Sequence, residues 1–156
     1  TITPGKMNWT TFPRFYGYST VGANTGTSMV TIKLNNATYD NFSKYNTSTG
    51  VYTIPVAGWY YVTGNVAWGG GTAAGQYFWS ALTDSTATVE IVRGLRFSGS
   101  GSTAGTFGNG YGSTAFITKF FNVNDTVALT AISSPTSSLD VSAIGNVSMS
   151  IQFISS

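Results

Sequence analysis

Residues 45–68 read YNTSTGVYTIPVAGWYYVTGNVAW and hold more structural information than the rest of this chain. The segment contains a turn at Gly50, a short run that ends at Pro55, a second turn at Gly58, and a long run rich in Tyr, Trp and Val. Aromatic and β-branched residues favour strands, and glycine supplies turn dihedrals that other residues avoid. This order predicts a hairpin corner in an antiparallel β domain.

Alternating hydrophobicity predicts further strands on both sides of this corner. Residues 147–154 alternate most regularly, with inward apolar and outward polar positions: Val147, Met149, Ile151 and Phe153 inward, and Ser148, Ser150 and Gln152 outward. Weaker patterns predict strands at residues 10–18, 29–34, 76–82, 89–97, 115–121 and 126–132. No window combines helical periodicity with caps, so about eight to ten short strands predict an all-β antiparallel sandwich or jelly roll.

Two predicted strands carry a residue that interrupts their apolar face. Gly64 lies between Val62 and Val66 on the predicted inner face of the long run, where a neighbour can approach closely or a bulge can form. Arg93 falls on the apolar side of residues 89–97. We expect it either to pair across a subunit contact or to lie near an edge, where its stem can reach solvent.

Composition predicts one domain that associates with copies of itself. The 156 residues fit a single domain over positions 1–156, with residues 1–9 leading into it or ending a linker. Only 8% of the residues are charged, against roughly a quarter in ordinary soluble domains, whereas 15% are aromatic. A net charge of +2 gives little repulsion between molecules. We therefore expect apolar surface to be buried in a closed homo-oligomer.

Several classes of function are excluded by what the sequence lacks. The seven cations are scattered without a basic run, so we predict no nucleic-acid binding. No apolar run reaches about 18 residues, so we predict no membrane insertion. The chain has neither His nor Cys, which removes Ser-His-Asp and Cys-His constellations. Because it begins with Thr, we expect it to be a fragment of a longer protein.

The carboxylates give no strong indication of catalysis or metal binding. Asp84 and Glu90 could serve as acid and base in glycoside cleavage, but their context favours a turn aspartate and a solvated strand glutamate. The four aspartates are dispersed, without the spacing of a calcium loop: Asp40, Asp84, Asp125 and Asp140. Asp125 is expected to accept backbone hydrogen bonds in its own turn. We predict that the protein is not an enzyme and that it has no metal site and no cofactor.

Glycine and aromatic residues cluster where a binding surface could form. Residues 98–112 read SGSGSTAGTFGNGYG and predict a long mobile loop. Rigid aromatics on a permissive backbone suit adaptable binding, and their faces suit saccharides. The candidate ligand-binding residues are Tyr77, Trp79, Arg96, Phe107 and Tyr111. The alternative, that these aromatics belong to the core or to subunit contacts, stays open for each of them.

The corner resembles the signature of the C1q/TNF-like globular domain. That signature has a Tyr, a Thr-Gly, an aromatic residue, a Pro and a Gly followed by paired aromatics. The matching positions are Tyr45, Thr49, Gly50, Tyr52, Pro55, Gly58, Tyr60 and Tyr61. The resemblance covers about residues 15–154.

A second segment, residues 121–129, is similar to the part of the same family where a Gly-Asp turn precedes a strand. Asn124 stands where the family has glycine, and Asn tolerates positive φ better than most residues. Near the C-terminus, Met149 and Ile151 replace the family's Phe and Gly.

The resemblance implies a ten-stranded jelly roll that assembles as a homotrimer at the tip of a fibre or stalk. Such domains occur on bacteriophage tail or head fibres, on bacterial spore surfaces and in animal complement-type proteins. The lack of Cys and the Thr/Ser/Gly bias resemble the phage version. The implied location is the virion surface, with a host-surface saccharide or protein receptor as partner and the remainder of a fibre at the N-terminus. A secreted or spore-surface recognition module is the alternative.

Overall fold

A computed structural model describes residues 11–69, 77–98, 110–134 and 136–156, and these residues form strands and turns without a helix. It follows that no described segment is a helix long and apolar enough to cross a membrane. The strands are β1 (Arg14–Tyr18), β2 (Asn24–Thr25), β3 (Val30–Thr31), β4 (Asn36–Asp40), β5 (Tyr45–Asn46), β6 (Val51–Thr53), β7 (Gly58–Gly69), β8 (Tyr77–Thr83), β9 (Glu90–Arg93), β10 (Phe97–Ser98), β11 (Gly110–Phe121), β12 (Thr126–Ser134), β13 (Ser137–Ser138) and β14 (Val147–Ser155).

Two antiparallel sheets pack face to face. One has five strands in the order β11-β7-β14-β1-β4. The other has seven strands, in the order β10-β8-β12-β6-β5, with β3 on β12 and β9 on β8. The short strands β13 and β2 pair separately. This arrangement confirms the predicted all-β sandwich.

The core lies between the sheets and follows the predicted alternation. The inner face of β7 is buried and consists of Tyr60, Val62, Val66 and Trp68. A Cβ added at Gly64 would lie 2.5 Å from Leu129 Cδ1 of the opposite sheet, so the predicted close approach occurs there. On β14, Val147, Met149 and Ile151 are buried as predicted. Ser148, predicted to point outward, is buried and donates to the Gly145 carbonyl.

The corner at residues 45–61 needs its two glycines for different reasons. Gly50 has φ +78° and its N–H donates to Asn46 O, which confirms the predicted turn. Gly58 does not occupy a positive-φ turn; it begins β7. A Cβ there would lie 2.5 Å from Ser155 O and 2.5 Å from the Phe153 ring. The predicted turn at Gly58 is therefore wrong, and close packing against β14 explains the glycine instead.

The remaining signature residues build the inside of the corner. Tyr45, half-buried, stacks on Phe15 with ring centroids 4.6 Å apart, and its hydroxyl accepts from Leu34 N at 2.8 Å. Tyr52 and Tyr60 are fully buried, and the Tyr60 hydroxyl donates to Val56 O at 2.7 Å. Tyr61 points to the other side and is exposed.

The turn before β12 agrees with the second similar segment. Asn124 has φ +70°, the left-handed conformation expected where asparagine replaces glycine. Asp125 Oδ2 accepts from Asn122 N at 2.8 Å, as predicted. The sequence therefore locates both the conformation and the hydrogen bond of this turn.

The prediction of which side chains point inward along residues 89–97 is wrong. Val89 and Leu95, expected to be inward, are exposed, the latter by 73%. Strand β9 covers only Glu90–Arg93, and a register shift between Leu82 and Thr83 interrupts its pairing with β8. A bulge of this kind ends strict alternation because it moves later side chains to the other face.

The predicted long loop is described only in part, and the leading segment lies outside the described residues. Of residues 98–112, those from Gly110 to Gly112 belong to β11 rather than to a loop, and Ser98 ends β10. Residues 99–109 and the leading residues 1–9 lie outside the described part of the chain.

Candidate functional site

Strand β8 brings two of the predicted ligand-binding residues side by side. Its alternation directs Phe78 inward and leaves Tyr77 and Trp79 half-buried on the outer face. The two rings stack with centroids 5.1 Å apart and an interplanar angle of 29°. Residues two apart on a strand share a face, so this stack follows directly from the sequence YFW.

Two arginines from the neighbouring segment lie against this stack. Arg96 Cζ is 4.7 Å from the Tyr77 ring centroid and 5.4 Å from the Trp79 centroid. Arg93 Cζ is 5.1 Å from the Trp79 centroid. We call Tyr77, Trp79, Arg93 and Arg96 the arginine–aromatic ladder. The ring faces that were expected to be open for a sugar therefore carry guanidinium groups.

A buried pair of serines fixes the backbone that carries Arg96. Ser113 Oγ of β11 accepts from Ser80 N at 3.0 Å and donates to Leu95 O at 2.9 Å. Gly94 N in turn donates to Ser80 O at 2.8 Å. A Cβ at Gly94 would lie 2.7 Å from Ser113 Oγ, so glycine is needed for this close approach. The segment before Arg96 is thus tied to both sheets.

The charge of Arg93 is compensated within its own strand. Its Nε and Nη2 donate to the two carboxylate oxygens of Glu90 at 3.0 and 2.8 Å. Hydrogen bonding to Glu90 raises the pKa of Arg93 above its ordinary value. Of the two alternatives for Arg93, the edge position is the one observed, because β9 pairs only with β8 among the described strands. The arginine needs no partner from another subunit.

The carboxylates weighed as an acid–base pair occupy structural positions. Asp84 Oδ1 accepts from the Thr86 hydroxyl at 2.6 Å and from Thr86 N at 3.1 Å. These hydrogen bonds lower the pKa of Asp84, and the bond from the Thr86 hydroxyl has the largest effect. Asp84 therefore stays ionised and cannot act as an acid near neutral pH. Glu90 is held by Arg93. Within the described ranges, no three acidic, His or Cys side chains group as a metal site would require.

The other two ligand-binding candidates do not join the ladder. Phe107 lies outside the described residues. Tyr111 is part of β11 and pairs in register with Trp68, on the five-stranded sheet, whereas the ladder belongs to the other sheet. The structure therefore brings together Tyr77, Trp79 and Arg96 and adds Arg93, which the sequence analysis had noted only for its position.

A second surface was not located from the sequence. The outer side of the five-stranded sheet carries seven large aromatic side chains, which we call the aromatic face: Tyr16, Tyr18, Tyr39, Trp59, Tyr61, Phe116 and Phe120. Trp59 and Phe120 meet edge to face at 6.1 Å, and Tyr16 and Tyr39 lie 6.0 Å apart. The sequence indicated this surface only through its three consecutive aromatic residues at positions 59–61. Successive side chains of a strand point to opposite faces, so at least one of the three must point away from the core.

The aromatic face carries almost no charge. In the described strands of this sheet, the other outward positions hold mainly Ser, Thr, Asn and Gln. Arg14 is the one charged residue at these positions, and its guanidinium lies 4.7 Å from the Tyr39 ring centroid. A large, neutral, ring-rich surface of this kind resembles the buried centre of a protein interface more than ordinary solvent-facing surface.

Comparison with known proteins places the fold. No family model and no curated protein matches the sequence. Among solved structures, the globular domain of zebrafish complement 1qA protein is 14% identical, covers 91% of this chain and 97% of its own, and has a TM-score of 0.61. Eiger TNF from S. frugiperda is 9% identical (92% and 93% covered, TM-score 0.63), and murine APRIL is 7% identical (92% and 99%, TM-score 0.64).

These likenesses define the class of fold. The chain folds as a C1q/TNF-like jelly roll, which confirms the fold that the signature at residues 45–61 implied. Identities this low carry no information on ligand or partner.

Proposed function

We propose that this chain is the subunit of a homotrimeric, non-enzymatic recognition domain exposed outside a cell or on a virion. Domains with the C1q/TNF-like fold usually trimerise, are generally extracellular and typically lack catalytic activity. Asp84 is hydrogen-bonded within its turn and Glu90 is paired with Arg93, so neither is free to act as an acid or a base. This supports the non-enzymatic part of the proposal.

The aromatic face carries the proposal of assembly. Phe116 is 62% exposed, and the exposed Trp59, Tyr61 and Phe120 lie further along the same two strands, with Trp59 directly opposite Phe120. Contiguous apolar patches of this kind are rare on soluble monomers and mark interaction sites. Because Arg14 is the one charge at its outward positions, the aromatic face repels a like surface little and suits contact with another copy of the chain.

A pair of matched substitutions tests the assembly. Phe116→Lys places a charge in the proposed contact, and we expect the variant to run as a folded monomer because a desolvated, unpaired lysine opposes association. Val89→Lys changes a 60% exposed apolar residue just before β9, on the side of the other sheet, and should remain a trimer. Light scattering on both variants gives the mass. If Phe116→Lys remained trimeric, or if both variants dissociated, the aromatic face would not be the contact.

We place the domain at the end of a bacteriophage fibre, where it contacts a host surface. The absence of Cys and the 8% charged content support this location, and a secreted or spore-surface module of a cell is the alternative. The neighbouring genes test the choice. Genes for phage structural proteins would support the fibre, whereas an upstream collagen-like Gly-x-y stalk would favour the cellular alternative.

A further inference from the structure

We infer that the arginine–aromatic ladder binds a saccharide that carries a carboxylate, with Arg96 as the group that pairs with it. This inference rests on the proposed recognition function and names its ligand class. It differs from the sequence expectation of bare aromatic faces, because guanidinium groups lie over the rings that a neutral sugar would stack on.

Arg96 has a positive charge that no acidic side chain of the described residues neutralises. The sequence has five acidic residues, and all of them lie in the described part. Glu90 is bound by Arg93, and the others accept hydrogen bonds in their own turns: Asp40 from Lys44 N, Asp84 from Thr86, Asp125 from Asn122 N and Asp140 from Ser142 N. Arg96 is exposed and forms no salt bridge within the described residues. Its charge is therefore free for a ligand.

The stacking presents Arg96 in a form suited to a carboxylate. The contact with the rings holds the guanidinium through its Cζ, and the planar fork of its N–H groups matches the two oxygens of a carboxylate. The stack on Tyr77 and the anchored backbone at Gly94 and Leu95 reduce the freedom that Arg96 would lose on binding.

The surroundings favour an acidic saccharide over a nucleic acid or a heavily sulfated polymer. Arg93, the nearest other cation of the ladder, is already paired with Glu90. A nucleic acid or a heavily sulfated polymer would need several unpaired cations in one patch. A single free guanidinium in this patch, on a protein whose polar residues are mostly hydroxyl and amide, fits a saccharide that presents one carboxylate to the ladder among many hydroxyls.

Isothermal titration of the assembled protein tests the inference with two matched probes. The first is tetragalacturonate and the second is its carboxyl-reduced counterpart, which has the same backbone without the charge. We expect tetragalacturonate to bind at least about tenfold more tightly, because one hydrogen bond to a charged group changes the dissociation constant by about tenfold or more. Arg96→Gln should remove that difference, and Arg96→Lys should retain only part of it because lysine lacks the fork. Lys44→Gln removes an exposed cation elsewhere and should bind like the wild type.

Several results would overturn the inference. Equal affinity for both probes would exclude the carboxylate, and unchanged affinity in Arg96→Gln would exclude the ladder. Binding of heparin alone, equally by the wild type and by Arg96→Lys, would show simple charge attraction.

Light scattering on the same samples separates this inference from the proposed assembly. A trimer that does not bind tetragalacturonate would contradict only the proposed ligand site at the ladder. A monomer that binds it through Arg96 would contradict only the trimer.

Discussion

At the scale of single residues, position 58 shows how a glycine can be required by a neighbouring strand rather than by a turn. The signature predicts glycine at both 50 and 58, but only Gly50 has the positive φ of a turn. At Gly58 the constraint comes from Ser155 and Phe153, about a hundred residues away in sequence. The residue type was predictable, whereas its reason depends on a long-range pairing that local patterns do not contain.

Gly58→Ala tests this reason. The added methyl group would overlap the Ser155 carbonyl, so we expect a loss of about 1–3 kcal/mol in the free energy of unfolding, as for other overpacked positions. Gly112→Ala is the matched control, because a Cβ there meets nothing closer than Val66 O at 4.0 Å. Urea denaturation of both variants measures the difference. Equal stability of the two variants would refute the packing explanation.

The half-buried Tyr45 and the buried Tyr52 and Tyr60 of the corner differ in the hydrogen bonds that their hydroxyls make. Tyr45 accepts from Leu34 N and Tyr60 donates to Val56 O, whereas the buried Tyr52 hydroxyl has no hydrogen-bond partner in the described structure. Burial raises the pKa of Tyr45 and of Tyr60 to about 12, from an ordinary 10.0. Burial, followed by the nearby Asp40 charge, raises the pKa of Tyr52 as well.

These pKa shifts predict a loss of stability in alkali. A folded pKa above the unfolded value means that the folded state holds the proton more tightly, so the stabilisation is complete below pH 10.0 and declines as the pH rises towards about 12. Tyr52→Phe should make this decline shallower and should cost little at neutral pH, because it removes an unpaired hydroxyl. Tyr45→Phe should cost about 1–3 kcal/mol at neutral pH, because Leu34 N loses its acceptor. Denaturation of both variants at neutral and alkaline pH is the measurement, and a costly Tyr52→Phe would show that the hydroxyl has a partner.

At the scale of elements, the segment from β8 to β10 shows where periodicity stops being informative. Residues 76–82 were predicted as a strand, and β8 occupies Tyr77–Thr83. The next stretch was predicted as one alternating strand, but a register shift and Gly94 divide it, and Leu95 points to solvent. The buried serines that anchor it, Ser80 and Ser113, come from different strands. Hydroxyl-rich sequence gives no indication of which serines will be buried together.

Ser113→Ala tests whether this anchor holds the element in place. The change removes the acceptor of Ser80 N and the donor to Leu95 O, so we expect a loss of about 1–3 kcal/mol in the free energy of unfolding. The Gly94 amide should also exchange its proton faster, because its segment is released from β11. Ser28→Ala at an exposed loop position is the control. Unchanged exchange at Gly94 would mean that the serine pair does not anchor the segment.

At the scale of the whole molecule, the sequence was sufficient to predict the jelly roll but not which outer surface would carry the exposed aromatic residues. The signature at residues 45–61 indicated the fold, and low charge with many aromatics indicated self-association. The aromatic face arises only when β7 and β11 pair along twelve residues each and align Trp59 with Phe120. Such alignment depends on strands separated by some fifty positions, and no local pattern specifies it.

Sedimentation equilibrium of the wild-type chain tests the central claim most directly. If three copies cover their aromatic faces against one another, the measured mass will be three times the 16.4 kDa of one chain over a wide range of protein concentrations. A stable species of 16.4 kDa throughout that range would contradict the account, because the aromatic face would then remain in water.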